Sequence, residues 1–538
     1  MTKTIEHTVP KRVYRFILSF SIVIIGTIIA WNANGRSLIG VDDANIYFVY
    51  MKHIAEGHGF VYTIGGEHVE GFTSLLWTMI GAGFHAMNLP LEMSLLIVNI
   101  ILISYVISRI WKFIDGEKHI SWKSALFLSL LACTPGFIEW NVLSLLETGL
   151  WTTLLSLLFL SIIEDSSPWI IGILGSLLIL CRPEAMLWGY VACMLYVIMQ
   201  YRLRHAIQYQ TSIPFFMISI SLIALIVWRM NYFGFPLPNT YYAKVSSDIF
   251  SNAFVGLKYI AKFFIQIPIM AIVIIMITYD VLQKLMKTSV STISSMQLTI
   301  VIFAKVLFII PLLTGGDHFQ LSRFFQSGIP LLLMGGIFIL SQWTFHRSIM
   351  IGIVIIAMFS SRWVIYAVTQ TPLVHEWSIA MEGRLQSQQL NAFFQENELP
   401  IQGVLTAGGM AYVYKGKTID LLGLNNVEMA HAESIKRPGI MKNHASFVSS
   451  VFYDQQPDLF WMGGGFSNNE PNALEIHQFN ANIFHEIHKE AQFKDIYGAF
   501  AIQNEKGTWL ITFMSRRFIK SLDERYRIKE IAVREIPI

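Results

Sequence analysis

The stretch GVDDANIYFVYMKHIAEGHG, residues 40–59, sets two adjacent carboxylates, Asp42 and Asp43, at the head of a helical pattern. Two acids this close titrate as a pair, one holding its proton more tightly than the other. That suits a general base taking a proton from an incoming hydroxyl. A carboxylate at a helix start also satisfies free N–H groups and the positive end of the helix dipole. Capping explains one of these acids; it does not explain two. Other residues able to meet a charged substrate fall in short stretches. GGDHFQLSRF (315–324) holds Asp317, His318 and Arg323; RPEA (182–185) holds Arg182 and Glu184; PLPNTYYAK (236–244) holds Asn239, Tyr241, Tyr242 and Lys244. EHVEGFTS (67–74) adds Glu70, and LLETGLW (145–151) adds Glu147. Each has a plainer reading: a solvated glycine turn, an Arg–Glu pair capping the next helix with Pro183 in its first turn, or an interfacial aromatic belt with a snorkelling lysine. Together they describe cations that would stabilise charge growing on a departing phosphate, beside acids that would activate an acceptor.

The elements that must position these residues are mostly membrane helices. Of 538 residues, 54% are hydrophobic and only 14% charged, against about 25% charged in ordinary soluble domains. The net charge of +3 is too small to argue for nucleic acid. Cys133, Cys181 and Cys193 lie in or beside apolar runs and form no CxxC pair, which reads as buried reduced thiols. Lys11, Arg12 and Arg15 precede an apolar run to about Ala30 without a small-residue cleavage pattern, so an uncleaved signal anchor is expected.

Twelve apolar runs lie near 14–31, 73–88, 93–111, 123–138, 149–163, 168–181, 185–200, 212–230, 255–280, 296–314, 325–343 and 348–368. Basic residues collect in short cytoplasmic loops. The N-terminal KRVYR and the loops at 111–123, 201–205, 281–287 and 345–347 share one side only if 73–88 or 93–111 does not cross. The run 73–88, with Thr73, Ser74, Trp77, Thr78 and His85, is the better candidate to lie at the interface. Eleven crossings follow, with the C-terminal part outside and every polar cluster above on the outer face. The loop EDSSP (164–168) is a weak dissent, since acids count little in this rule. In the helix after Asp43, Ile46, Val49, Tyr50 and Ile54 form an apolar stripe with Lys52, His53 and Glu56 off it, which suits a helix on the outer membrane surface. From about Thr371 the pattern turns to short strands and an amphipathic helix at 381–397, a soluble α/β or α+β domain over 371–538.

The ordered stretches DDANIYFVYMKHIAEGHGFVY…GGEHVEGFTSLLW, LLETGLW, RPEA, PLPNTYYAK, GGDHF…SRF and TIDLLGLNN resemble the membrane glycosyltransferases of the GT-C type, in the branch of the terminal arabinofuranosyltransferases, from about residue 40 to 430. The resemblance implies a GT-C fold over residues 1–370, polytopic and α-helical, with about eleven transmembrane helices and two juxtamembrane helices in the first outer loop. It implies a polyprenyl-phosphate-linked sugar donor, an inverting displacement, and a glycan or lipid acceptor at the outer face of a bacterial plasma membrane. By position, Asp42 matches the base and Asp43 its partner. Arg182, Lys244, His318 and Arg323 match donor phosphate or site electrostatics, and Glu70, Glu147, Asn239 and Asp317 match sugar hydroxyls. Some members need a divalent metal ion and others do not, so metal use stays open. Two rival readings keep the membrane architecture: a protein or lipid A glycosyltransferase of the same fold, and a transporter or flippase. A flippase predicts polar groups near the bilayer midplane and often repeated halves. Here the polar groups sit on one face and the halves do not match.

Overall fold

A computed structural model describes residues 11–116, 120–244, 249–287, 294–342, 375–432 and 447–537. Among them, five helices are long and apolar enough to cross a bilayer: Arg12–Ala33, Leu91–Asp115, Tyr209–Tyr232, Pro268–Met286 and Ser295–Thr314. Gln320–Gln326 and Ile329–Leu340, bent by 70° at the break between them, add a sixth if they form one broken span. Leu75–Ala86, Trp122–Ala132, Thr148–Ile163 and Pro168–Cys181 are apolar but shorter. At about 1.5 Å per residue, each falls short of a hydrocarbon core about 30 Å thick. The chain is therefore a helical membrane protein with a C-terminal sheet, and its apolar runs are not equal crossings. The run at 255–280 is a clear correction: it folds as two helices, Ile249–Gln266 and Pro268–Lys287. Proline lacks an N–H and fits a helix start better than a helix interior, so the break falls there. The run at 348–368, the loop at 345–347 and the boundary at 370/371 lie outside the described residues.

The C-terminal sheet has eight strands: β1 (Gln402–Val404), β2 (Thr418–Asp420), β3 (Leu459–Ser467), β4 (Ala473–His477), β5 (Tyr497–Gln503), β6 (Trp509–Ser515), β7 (Arg527–Glu530) and β8 (Ala532–Ile536). Their order is β2-β1-β3-β6-β5-β7, with β4 joining β3 to β8. The β2-β1-β3 side is parallel and the β3-β6-β5-β7 side antiparallel. Both expected classes thus meet in one mixed sheet. One hydrophobic core runs without a break from Val23 in the first helix through Leu390, Met410 and Leu459 to Tyr526. A second core fills the far face of the sheet around Phe460, Phe484 and Phe513.

That shared core corrects the placement of the Asp42–Ala55 helix. It is not a half-exposed surface helix, since Ile46, Phe48, Tyr50, Met51 and His53 are all buried. The C-terminal domain covers it. Phe48 packs edge-on against Tyr412 at 5.4 Å, Tyr50 Oη donates to Asn425 Oδ1 at 3.0 Å, and Arg384 Nε donates to Asn45 Oδ1 at 2.6 Å. An apolar stripe predicts that a helix is half covered; it is silent about a second partner arriving from far along the chain.

The loop between the Asp42–Ala55 and Leu75–Ala86 helices is also pinned by charge. Glu70 accepts both Nε and Nη2 of Arg229 at 2.8 Å, and both residues are buried. Breaking one side of a buried pair strands the other charge, at a cost of about 3–5 kcal/mol. Glu70→Gln is expected to lower stability by about 3 kcal/mol, read by thermal unfolding in detergent. Glu70→Gln with Arg229→Met should recover part of that loss.

Candidate active site

The N-cap of the Asp42–Ala55 helix is Val41, which supplies no side-chain cap. Capping therefore accounts for neither acid; both stand in the first turn. The helix start is fixed by the chain beside it. Val41 N–H donates to Ser144 O at 3.2 Å, and Gly40 turns at φ 70°, where an added Cβ would come within 2.9 Å of that same oxygen.

From this start the two carboxylates diverge. Asp42 is 7% exposed. Its Oδ1 accepts the Gly409 N–H at 2.7 Å and its Oδ2 the Gly408 N–H at 3.1 Å. Burial pushes its pKa up to about 6, assisted by the Asp43 charge and opposed by those two N–H groups. The Asp43 side chain is 25% exposed, with Oδ2 3.7 Å from Arg323 Nη1.

Arg323 is aimed by the bend at 315–324. Gly315 and Gly316 have positive φ, and so do Leu321 (58°) and Ser322 (50°). Two consecutive non-glycine residues in the left-handed region carry strain that packing must hold, as functional sites often do. Nε and Nη2 of Arg323 both reach Asp317 Oδ2 at 2.8 Å, and the guanidinium lies 4.1 Å from the Phe319 ring centre. Burial alone would raise the Asp317 carboxyl. The Arg323 charge, the His318 hydrogen bond and the charges of His318 and Lys244 together outweigh it and hold that carboxyl well below the usual range. His318 Nδ1 sits 3.3 Å from Asp317 Oδ1.

Arg182 and Arg323 share the Phe324 ring, whose centre is 5.6 Å from the first and 5.8 Å from the second. Its Nη1 donates to Glu147 Oε1, while Nε and Nη2 donate to the two oxygens of Glu184 at 3.2 and 2.9 Å. Glu147 is buried and its Oε2 has no hydrogen-bond partner among the described residues. Arg182, Glu184, Arg323 and Ser327 line a pocket whose remaining wall includes Trp151, Leu307 and Ile310. Two guanidinium groups, one of them paired with Glu184, beside apolar side chains suit an amphiphile with an anionic head that takes the place of that carboxylate.

The structure thus brings Asp43, Glu147, Arg182, Glu184, Asp317, His318 and Arg323 into one neighbourhood, with Lys244 near enough to act on Asp317 through its charge. It assigns others elsewhere. Glu70 is paired with Arg229. Asn239 Nδ2 donates to the carbonyls of Gly423 and Leu424 at 2.7 and 3.1 Å, so it ties the stretch 236–244 to the C-terminal domain. Asp317, inside the neighbourhood, is paired with Arg323. Tyr242 packs on His431 at 4.3 Å, and Tyr241 leans edge-on against Tyr242 with 43% exposure. Among the described residues, no group of three or more His, Cys, Asp or Glu is placed to hold a metal ion.

Sequence reasoning missed Glu376, the first residue of the helix Glu376–Phe393. Burial, then the charges of Asp43, Asp42 and Asp317, push its carboxyl up to about 8. No family model matches this chain, and no curated protein matches it. The site is therefore read from its own chemistry.

Glu376 gives a testable pH dependence. Its folded pKa lies above the ordinary 4.5, so the folded state binds its proton more tightly than the unfolded chain. That contribution is fully present below the unfolded value and is lost as pH rises toward about 8. Glu376→Gln cannot ionise. Its melting temperature relative to wild type should climb between about pH 5 and about pH 9, and a constant difference would contradict the assignment.

Proposed function

We propose that this chain is a GT-C type glycosyltransferase of the plasma membrane. It moves a sugar from a polyprenyl-phosphate donor to a hydroxyl of a glycan or lipid at the outer face. The observation that carries the reading is the approach of Asp43 Oδ2 to Arg323 Nη1, 3.7 Å away, since Arg323 also lines, with Arg182, a pocket whose wall includes Trp151, Leu307 and Ile310. An arabinofuranose-like pentose is the leading sugar by resemblance, with a hexose next. The reading retains about eleven crossings, a cytoplasmic N-terminus and an outer C-terminal domain.

In this mechanism the acceptor hydroxyl loses its proton to Asp43 as its oxygen attacks the anomeric carbon. The bond from that carbon to the phosphate oxygen breaks, and its electron pair leaves with the phosphate, inverting the centre. The charge that appears on the phosphate is what Arg182 and Arg323 stabilise. Glu184 holds the fork of Arg182 and its side chain is 20% exposed, so it is the carboxylate that an incoming phosphate would displace. Glu147, 2% exposed, keeps Arg182 in place from behind.

The geometry favours a different division of labour from the one the resemblance implied. Both Asp42 oxygens already accept backbone N–H groups, while Asp43 faces the cation. Asp43 is the better base, and Asp42 its anchor. Purified protein in nanodiscs, given radiolabelled polyprenyl-phosphate arabinofuranose and matching pentose and hexose donors, should release polyprenyl phosphate. Asp43→Asn should lower turnover at least about 10²-fold, the usual scale of general-base catalysis, with its melting temperature unchanged. Undiminished turnover in Asp43→Asn would remove it from the mechanism. Movement of intact donor across a vesicle membrane without any covalent product would favour a flippase instead.

A further inference from the structure

The C-terminal domain does more than stand beside the membrane helices, since its backbone holds one of the two acids. Gly408 and Gly409 follow β1 and open the short helix Gly409–Val413. No side chain is tolerated at this corner. A Cβ on Gly408 would lie 1.8 Å from the Asp42 carbonyl oxygen, and one on Gly409 would lie 2.4 Å from Ala380 O. The corner is also gripped from the loop between the Asp42–Ala55 and Leu75–Ala86 helices, where Tyr62 Oη donates to Ala407 O at 2.5 Å. On its other side Arg384 fixes the same helix turn, donating to Asn45 Oδ1 at 2.6 Å and to Glu92 Oε1 at 3.0 Å.

We propose that the Gly408–Gly409 corner is a positioning element of the catalytic site, holding Asp42 so that its neighbour Asp43 is presented to Arg323 and the substrate. This rests on the glycosyltransferase reading above. Adjacent residues of a helix point about 100° apart. Fixing the Asp42 side chain against the C-terminal domain therefore fixes the direction in which Asp43 leaves the helix. Donor binding is assigned to Arg182 and Arg323, which do not touch this corner. A fault here should appear in the chemical step and not in donor affinity.

The test uses the full chain in nanodiscs, with Gly408→Ala as the strong variant and Tyr62→Phe as a mild one that introduces no clash. Hydrogen exchange of the peptides covering residues 405–412 reads the corner directly. Release of polyprenyl phosphate from labelled polyprenyl-phosphate arabinofuranose reads the reaction. In Gly408→Ala, exchange should quicken at least about tenfold, the order expected for losing a charge-assisted hydrogen bond. Turnover should fall by a similar factor while KM for the donor stays unchanged. Tyr62→Phe should move both readouts in the same direction by less. Unchanged exchange in a folded Gly408→Ala protein would refute the corner, and faster exchange with unchanged turnover would refute its positioning role while leaving the glycosyltransferase reading intact. If the wild-type protein turns over no donor offered, the glycosyltransferase reading fails and this proposal with it. The exchange result would then describe only a structural contact.

Discussion

Two backbone N–H groups, on Gly408 and Gly409, donate to one buried carboxylate, Asp42. A buried carboxylate without partners is costly, and here partners come from the start of a short helix 366 positions along the chain. This contact makes one body of the membrane helices and the C-terminal sheet. Around it gather Tyr62 on Ala407, Tyr50 on Asn425 and Arg384 on Asn45. The core follows the same joint without a break.

The joint also settles how two identical side chains come to differ. Asp42 faces the C-terminal domain and is enclosed; Asp43 faces the bend at 315–324 and remains partly open. Their environments, not their chemistry, divide the roles. The cations are arranged by the same logic. Arg323 is braced by Asp317 and Phe319, and Arg182 by Glu147 and Glu184, so each guanidinium is pre-aimed before any ligand arrives. Preorganised charge of this kind needs no reorganisation at the moment of reaction, which would be its value in the proposed sugar transfer.

The neighbourhood of the site was legible in the sequence because its side chains belong to short polar islands in an apolar chain. Asp43, RPEA and GGDHFQLSRF stand out by type and meet in space. What was hidden is instructive. Gly408 and Gly409 in TAGGMAY look like any turn, since a backbone donor leaves no mark in side-chain chemistry. Glu376 looks like an ordinary first-turn acid until three other carboxylates are folded toward it. Glu70 and Asn239 have the right types for sugar contacts, yet residue type does not reveal that Arg229 and the carbonyls near Gly423 reach them first. Hydropathy found the apolar runs but not the break before Pro268, nor which runs form only short helices.

The most direct measurement is an electron cryo-microscopy structure of the full chain in nanodiscs with a non-hydrolysable polyprenyl-phosphonate sugar. The account predicts the phosphonate against Arg182 and Arg323 with Glu184 swung away, the sugar ring facing Asp43, and Asp42 still on the Gly408 and Gly409 N–H groups. A donor seated elsewhere, or one whose anomeric carbon faces away from Asp43, would contradict it.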